Sequence, residues 1–145
     1  MGLILDSSVL IAAERQSKNA RQVLSALAQA VGETEVGISV MTLVELAHGA
    51  ARADTPERKN KREKFIEELL TAMPVYEVTA GMALRAGQLD GQNQARGVRV
   101  PLPDLLVGVT ALSLATTWAL RISGTSGRWP DFPSSSFDGC LTHPT

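Results

Sequence analysis

The chain has 145 residues, a hydrophobic fraction of 44%, a charged fraction of 20% and a net charge of −1. That size and apolar content fit one domain with one core and exclude disorder of the whole, and the balanced charge argues against a general nucleic-acid coat protein. A single cysteine, Cys140, and two histidines, His48 and His143, exclude an internal disulfide framework and a cysteine- or histidine-rich metal centre.

In chain order, Gly2 to Leu5 is a short apolar run that reads as a buried strand ending at Asp6. Ser7 and Ser8 are expected to cap a helix running through Val9, Leu10, Ile11, Ala12 and Ala13. Asn19 to Val31 has helical spacing at Ala20, Val23, Leu24, Leu27 and Ala28, and Gly32 ends it. Glu35 to Ser39 reads as a second strand, and Val40 to Ala53 as a helix carrying Glu45. Thr55-Pro56 opens another helix, with Pro56 at its first position and a stripe of Phe65, Ile66, Leu69 and Leu70; Pro74 stops it.

Val75 to Val78 is a third strand candidate, and Thr79 to Arg96 an Ala- and Gly-rich helix ended by Gly97. Val98-Arg99-Val100 looks strand-like, and the segment from Asp104 to Ala115 is apolar nearly all round, as expected of a central buried helix. Strands alternating with helices imply a three-layer α/β/α fold around a central parallel sheet. Residues 1–115 are expected to form the domain core, and 116–145 a divergent C-terminal segment rich in Ser, Thr, Gly and Pro. No segment reaches the roughly 18 apolar residues of a membrane span, no basic signal region opens the chain, and a cytoplasmic location is expected.

Three acids stand beside apolar segments: Asp6 in Leu3-Ile4-Leu5-Asp6-Ser7-Ser8, Glu45 in Thr42-Leu43-Val44-Glu45-Leu46, and Asp104 in Pro103-Asp104-Leu105-Leu106-Val107. Each has a bland reading. Asp6 can be an N-cap; Thr42 and Glu45 match a capping box; Asp104 suits the positive end of a helix dipole. Taken together they suggest a site, because the functional crevice of an open parallel sheet lies beyond the carboxyl ends of its strands. Two carboxylates about 4 Å apart repel by roughly 4 kcal/mol at an effective dielectric near 20, so three gathered together require a cation or a proton. A hard divalent ion such as Mg2+ fits that chemistry, activating a bound water and stabilising charge on a phosphodiester.

The segments Leu3–Ile11, Ile38–Gly49 and Pro103–Leu112 resemble the signatures of PIN-domain ribonucleases, and more narrowly those of the VapC-type toxins of bacterial toxin–antitoxin pairs. The resemblance implies metal-dependent endonucleolytic cleavage of RNA, with Asp6, Glu45 and Asp104 holding Mg2+ or Mn2+. It implies that Ser8 orients the first carboxylate or a metal-bound water. It also implies a small cognate antitoxin whose C-terminal segment covers the site, and a homodimer.

The family pattern continues with a strand, Thr-x-Asn or Thr-x-Asp, a basic residue and Asp-Phe. Here Thr125, Ser126 and Asp131-Phe132 give only a loose echo, so a last strand altered or missing is expected. Asp131 is an auxiliary candidate for a fourth carboxylate; its bland alternative is a solvated turn residue beside Pro130. The compositional break prompts the hypothesis that the tail is read from a shifted frame. The gene's nucleotide sequence tests it, and two alternative frames lacking such a motif would refute it.

Arg52, Arg58, Lys59, Lys61, Arg62 and Lys64 form a basic stretch suited to RNA phosphates, but interleaved Asp54, Glu57 and Glu63 favour a solvated helix face. Arg85, Arg96 and Arg99 are further candidate substrate contacts. His48, three residues after Glu45, is read as structural rather than as a general base, and Asp90 as solvated. Two alternatives to the nuclease remain: a catalytically impaired PIN-like module that binds the antitoxin, and a haloacid-dehalogenase-like phosphotransferase with Asp6 as nucleophile. The last needs a second acid two residues on, where this chain has Ser8.

Overall fold

The computed structural model describes residues 2–32 and 35–114. Asp131, the expected altered last strand and the whole divergent tail, 116–145, lie outside the described residues. The elements are β1 (Gly2–Leu5), α1 (Ser7–Arg15), α2 (Ala20–Val31), β2 (Glu35–Ser39), α3 (Val40–Ala51), α4 (Pro56–Ala72), β3 (Val75–Tyr76), α5 (Ala80–Ala95) and α6 (Leu102–Ser113). The strands form a parallel sheet in the order β1-β2-β3, with Leu5 opposite Ile38 and Ile38 opposite Val75.

Strand alternation divides the core into layers. Leu3 and Leu5 point to one face, where they join Leu10 of α1, Val23 and Leu27 of α2, Leu46 of α3, and Phe65 and Leu69 of α4. Ile4 points to the other face, against Val107 and Ala111 of α6. Helix α5 packs outside the sheet on α6, through Ala86 and Leu89 against Leu105 and Val109. The expected α/β/α arrangement with a parallel sheet is therefore present. Leu5, Leu10, Ile38 and Leu69 are 0% exposed, and each such side chain contributes roughly 1.5–3 kcal/mol by burial.

The helix boundaries follow from short-range chemistry. Asn19 and Gln22 form a reciprocal capping box, each side chain accepting from the other's backbone N–H at 2.9 Å. Gly32 ends α2 at φ +78°, a conformation open to glycine at no steric cost. Thr55 caps α4 by accepting from the Arg58 N–H, with Pro56 at the first position.

Three expectations are corrected. Ser7 and Ser8 are already inside α1, and Asp6 takes the N-cap position without a side-chain cap bond. β3 ends at Tyr76, two residues short of the expected Val78. Residues 98–100 form no strand; Val100 docks on the α5–α6 cluster, so this linker is used to turn between two helices.

Candidate functional site

Asp6 follows the last residue of β1 and is 8% exposed. Its Oδ2 accepts a 2.8 Å hydrogen bond from the Ser8 hydroxyl, two residues into α1. A strand carrying Leu3, Ile4 and Leu5 into the core thus delivers a carboxylate to the carboxyl edge of the sheet, and the local serine fixes its rotamer.

Glu45 is held by a helix whose start is set from two sides. Ser39, the last residue of β2, is 0% exposed and caps α3 by accepting from the Met41 N–H at 3.2 Å. Thr42, also fully buried, donates its hydroxyl to the Leu5 carbonyl at 3.2 Å. The capping-box reading of Thr42 and Glu45 is overturned: α3 begins at Val40, so Thr42 is inside it and its hydroxyl is spent on β1. Glu45 sits one helical turn beyond Thr42, half-buried.

Asp104 is the third residue of α6, half-buried in the first turn, where the helix dipole favours a negative charge. One turn on, Val107 packs against Ile4 of β1 and Met41 of α3. The elements bearing the three acids therefore meet at the sheet. Among the described residues, however, no three His, Cys, Asp or Glu side chains converge closely enough to enclose a metal ion. The donor set is nevertheless of the right kind: Mg2+ takes one or two carboxylates and keeps several waters, rather than being caged by protein.

Glu45 also lines a cavity of about 230 Å3 between α1, α3 and α4, with Ile11, Glu14, Arg15, Leu46, Gly49, Arg62, Phe65 and Ile66. A larger groove of about 720 Å3 lies between α2 and α4 and is lined by none of the three acids; chemistry rather than size singles out the smaller one. His48 is exposed in the last turn of α3. Within the basic stretch, Arg58 pairs with Asp54 and Lys59 with Glu63, as expected of a solvated face. Arg62 departs from it: the side chain turns inward to the Gly49 carbonyl and toward Glu14.

A family model described as the PIN domain matches residues 3–120. The chain belongs to the PIN-domain family. Its fold is similar to a chain in the structure of VapBC2 from Rickettsia felis bound to a DNA fragment from their promoter. That match has TM-score 0.66 and 17% identity over 79% of this chain and 83% of that one. VapBC-1 from nontypeable Haemophilus influenzae gives TM-score 0.63 and 21% identity over 79% and 82% of the two chains. FitAcB from Neisseria gonorrhoeae gives 0.61 and 20% over 78% and 82%. No curated protein matches the chain.

Two residues that brace the candidate site were read in other roles from the sequence, Thr42 as a capping-box partner of Glu45 and Arg62 as part of a solvated basic face. Thr42 carried a signal, a hydroxyl placed three residues before Glu45 in an apolar helix. Arg62 carried none, because its acceptor belongs to a different helix.

Proposed function

We propose that this PIN domain is a metal-dependent endoribonuclease, the toxin of a toxin–antitoxin pair, with Asp6, Glu45 and Asp104 as ligands of Mg2+ or Mn2+. The observation that carries the reading is a buried carboxylate at the carboxyl end of β1, with the helix bearing Asp104 packed against that strand and the helix bearing Glu45 hydrogen-bonded to it through Thr42. The likeness to chains of VapBC complexes supports an antitoxin as partner. RNA as substrate and a homodimer follow from the same family reading.

Each residue has a distinct task. Asp6 presents a carboxylate whose orientation Ser8 maintains. Glu45 and Asp104 add negative charge from α3 and from the first turn of α6. Asp6, Glu45 and Asp104 would hold a divalent ion there, and the chemistry it would supply is an activated water and neutralisation of charge on the phosphodiester. In this reading Ser8 is an orienting residue, and Asp131 stays an auxiliary candidate for a fourth carboxylate.

One observation favours a second reading, an antitoxin-binding module with impaired cleavage: no three acidic side chains converge among the described residues. Mn2+ affinity and RNA cleavage by the purified protein separate the two. Metal-dependent cutting that Asp6→Asn abolishes supports the nuclease; a folded protein that neither binds the ion nor cuts refutes it.

A further inference from the structure

Resting on that reading, we infer that Arg62 is a positioning residue for Glu45: it clamps the rear of α3 as Thr42 and Ser39 clamp its front. The last four carbonyls of a helix lack partners within it. At the end of α3, the Arg52 N–H bonds to the His48 carbonyl and the Ala53 N–H to that of Ala50, which passes over Gly49. The Gly49 carbonyl is taken instead by Arg62 of α4, whose Nη1 donates to it at 2.6 Å. A cation at this negative end of the helix is also favoured by the dipole.

The same guanidinium reaches the third helix around the cavity. Its Nε lies 4.0 Å from Oε2 of Glu14 in α1; the Arg62 side chain is 34% exposed and that of Glu14 only 14%. Glu14, Glu45 and Arg62 line one cavity, so Arg62 offsets the Glu14 charge on the wall that Glu45 shares. Glu45 lies three residues after Thr42 and four before Gly49. Its helix is tied in front to β1 by Thr42 and behind to α4 by Arg62; loss of the rear bond leaves Leu46 and Ala50 buried but removes the tie that fixes the end of the turn following Glu45. Arg62 touches no substrate in this assignment; it acts through the backbone of α3 and the charge of Glu14.

The test compares the full chain with Arg62→Ala, Arg62→Lys and, as a control on the same helix, Arg58→Ala. Three quantities are read: Mn2+ affinity without RNA by calorimetry, the 13C resonance of the Glu45 carboxylate without metal, and kcat and KM for RNA cleavage. Arg62→Ala is expected to shift the Glu45 resonance and to weaken Mn2+ binding on the order of tenfold, as outer contacts to metal ligands do. Its kcat should fall while KM stays within about twofold. Arg62→Lys should recover most of the loss, and Arg58→Ala should match the parent chain. A folded Arg62→Ala with unchanged Glu45 resonance and Mn2+ affinity overturns the inference. A loss confined to KM also overturns it, by making Arg62 a phosphate contact.

If Arg62→Ala does not fold, Arg62→Met keeps the packing of the aliphatic stem and carries the same comparison. Failure of both to fold makes Arg62 a residue of stability alone and overturns the assignment. A parent chain that binds no Mn2+ sinks the metal-dependent reading, whereas the Glu45 resonance still decides the role of Arg62.

Discussion

The Thr42 hydroxyl donates a buried 3.2 Å hydrogen bond to the carbonyl of Leu5, across 37 residues of sequence. Leu5 is the residue before Asp6, so this bond ties the helix carrying Glu45 to the strand end carrying the first candidate carboxylate. Thr42, which is neither acid, thereby joins the Ser39 cap in fixing where the helix of Glu45 starts relative to Asp6.

Removal of that donor should be costly. Thr42→Val keeps the shape but leaves the buried Leu5 carbonyl without this hydroxyl, a loss of about 1–3 kcal/mol. Chemical denaturation should show it, with Thr42→Ser much closer to the parent. RNA cleavage by Thr42→Val should fall in kcat more than in KM. Equal stability of the Val and Ser variants would refute this role for the hydroxyl.

Gly37 of β2 lies under the ring of Tyr76 in β3. A Cβ added there would stand 2.5 Å from the Tyr76 Cε2 and 3.0 Å from the Pro74 carbonyl oxygen. Gly37→Ala should therefore destabilise the fold by about 1–3 kcal/mol, as overpacking does. Combined with Tyr76→Ala, the two changes should be non-additive by at least about 0.5 kcal/mol, since removal of the Tyr76 ring relieves the clash that Gly37→Ala introduces. Strict additivity in a thermal double-mutant cycle would contradict the contact.

On α4, hydrogen bonds from Arg58 to both carboxylate oxygens of Asp54, at 3.0 and 2.8 Å, hold the Asp54 carboxyl below the ordinary aspartate range. A folded-state pKa lower than the unfolded one contributes stability above the unfolded value, and that contribution is lost as pH falls through the folded one. An NMR titration should find Asp54 returning toward its ordinary value in Arg58→Ala. Because the pair is exposed, stability near neutral pH should barely change.

Much of this fold is written in local signals. The capping residues Asn19 and Thr55, Pro56 at the first position of α4, and Gly32 after α2 act over three or four residues, so their helices are legible from spacing. β2 was legible at both ends, because Ser39 is the cap of the next helix as well as the end of the strand. Residues 98–100 misled because a Val-Arg-Val pattern fits an edge strand and a docked linker equally well, and only the neighbouring helix pair decides between them. The acids were visible as charges in apolar surroundings. The residues that hold them in place were not, since Thr42 bonds to a different strand and Arg62 to a different helix.

The most direct measurement is cleavage of a mixed structured RNA by the purified full chain with Mg2+, with Mn2+ and with EDTA, alongside folded Asp6→Asn and Asp104→Asn. The account predicts cutting with either metal, none with EDTA, and a loss of at least about a hundredfold in both variants, the scale on which removal of a charge-stabilising group acts. Cutting that survives in both variants, or that proceeds in EDTA, would contradict it.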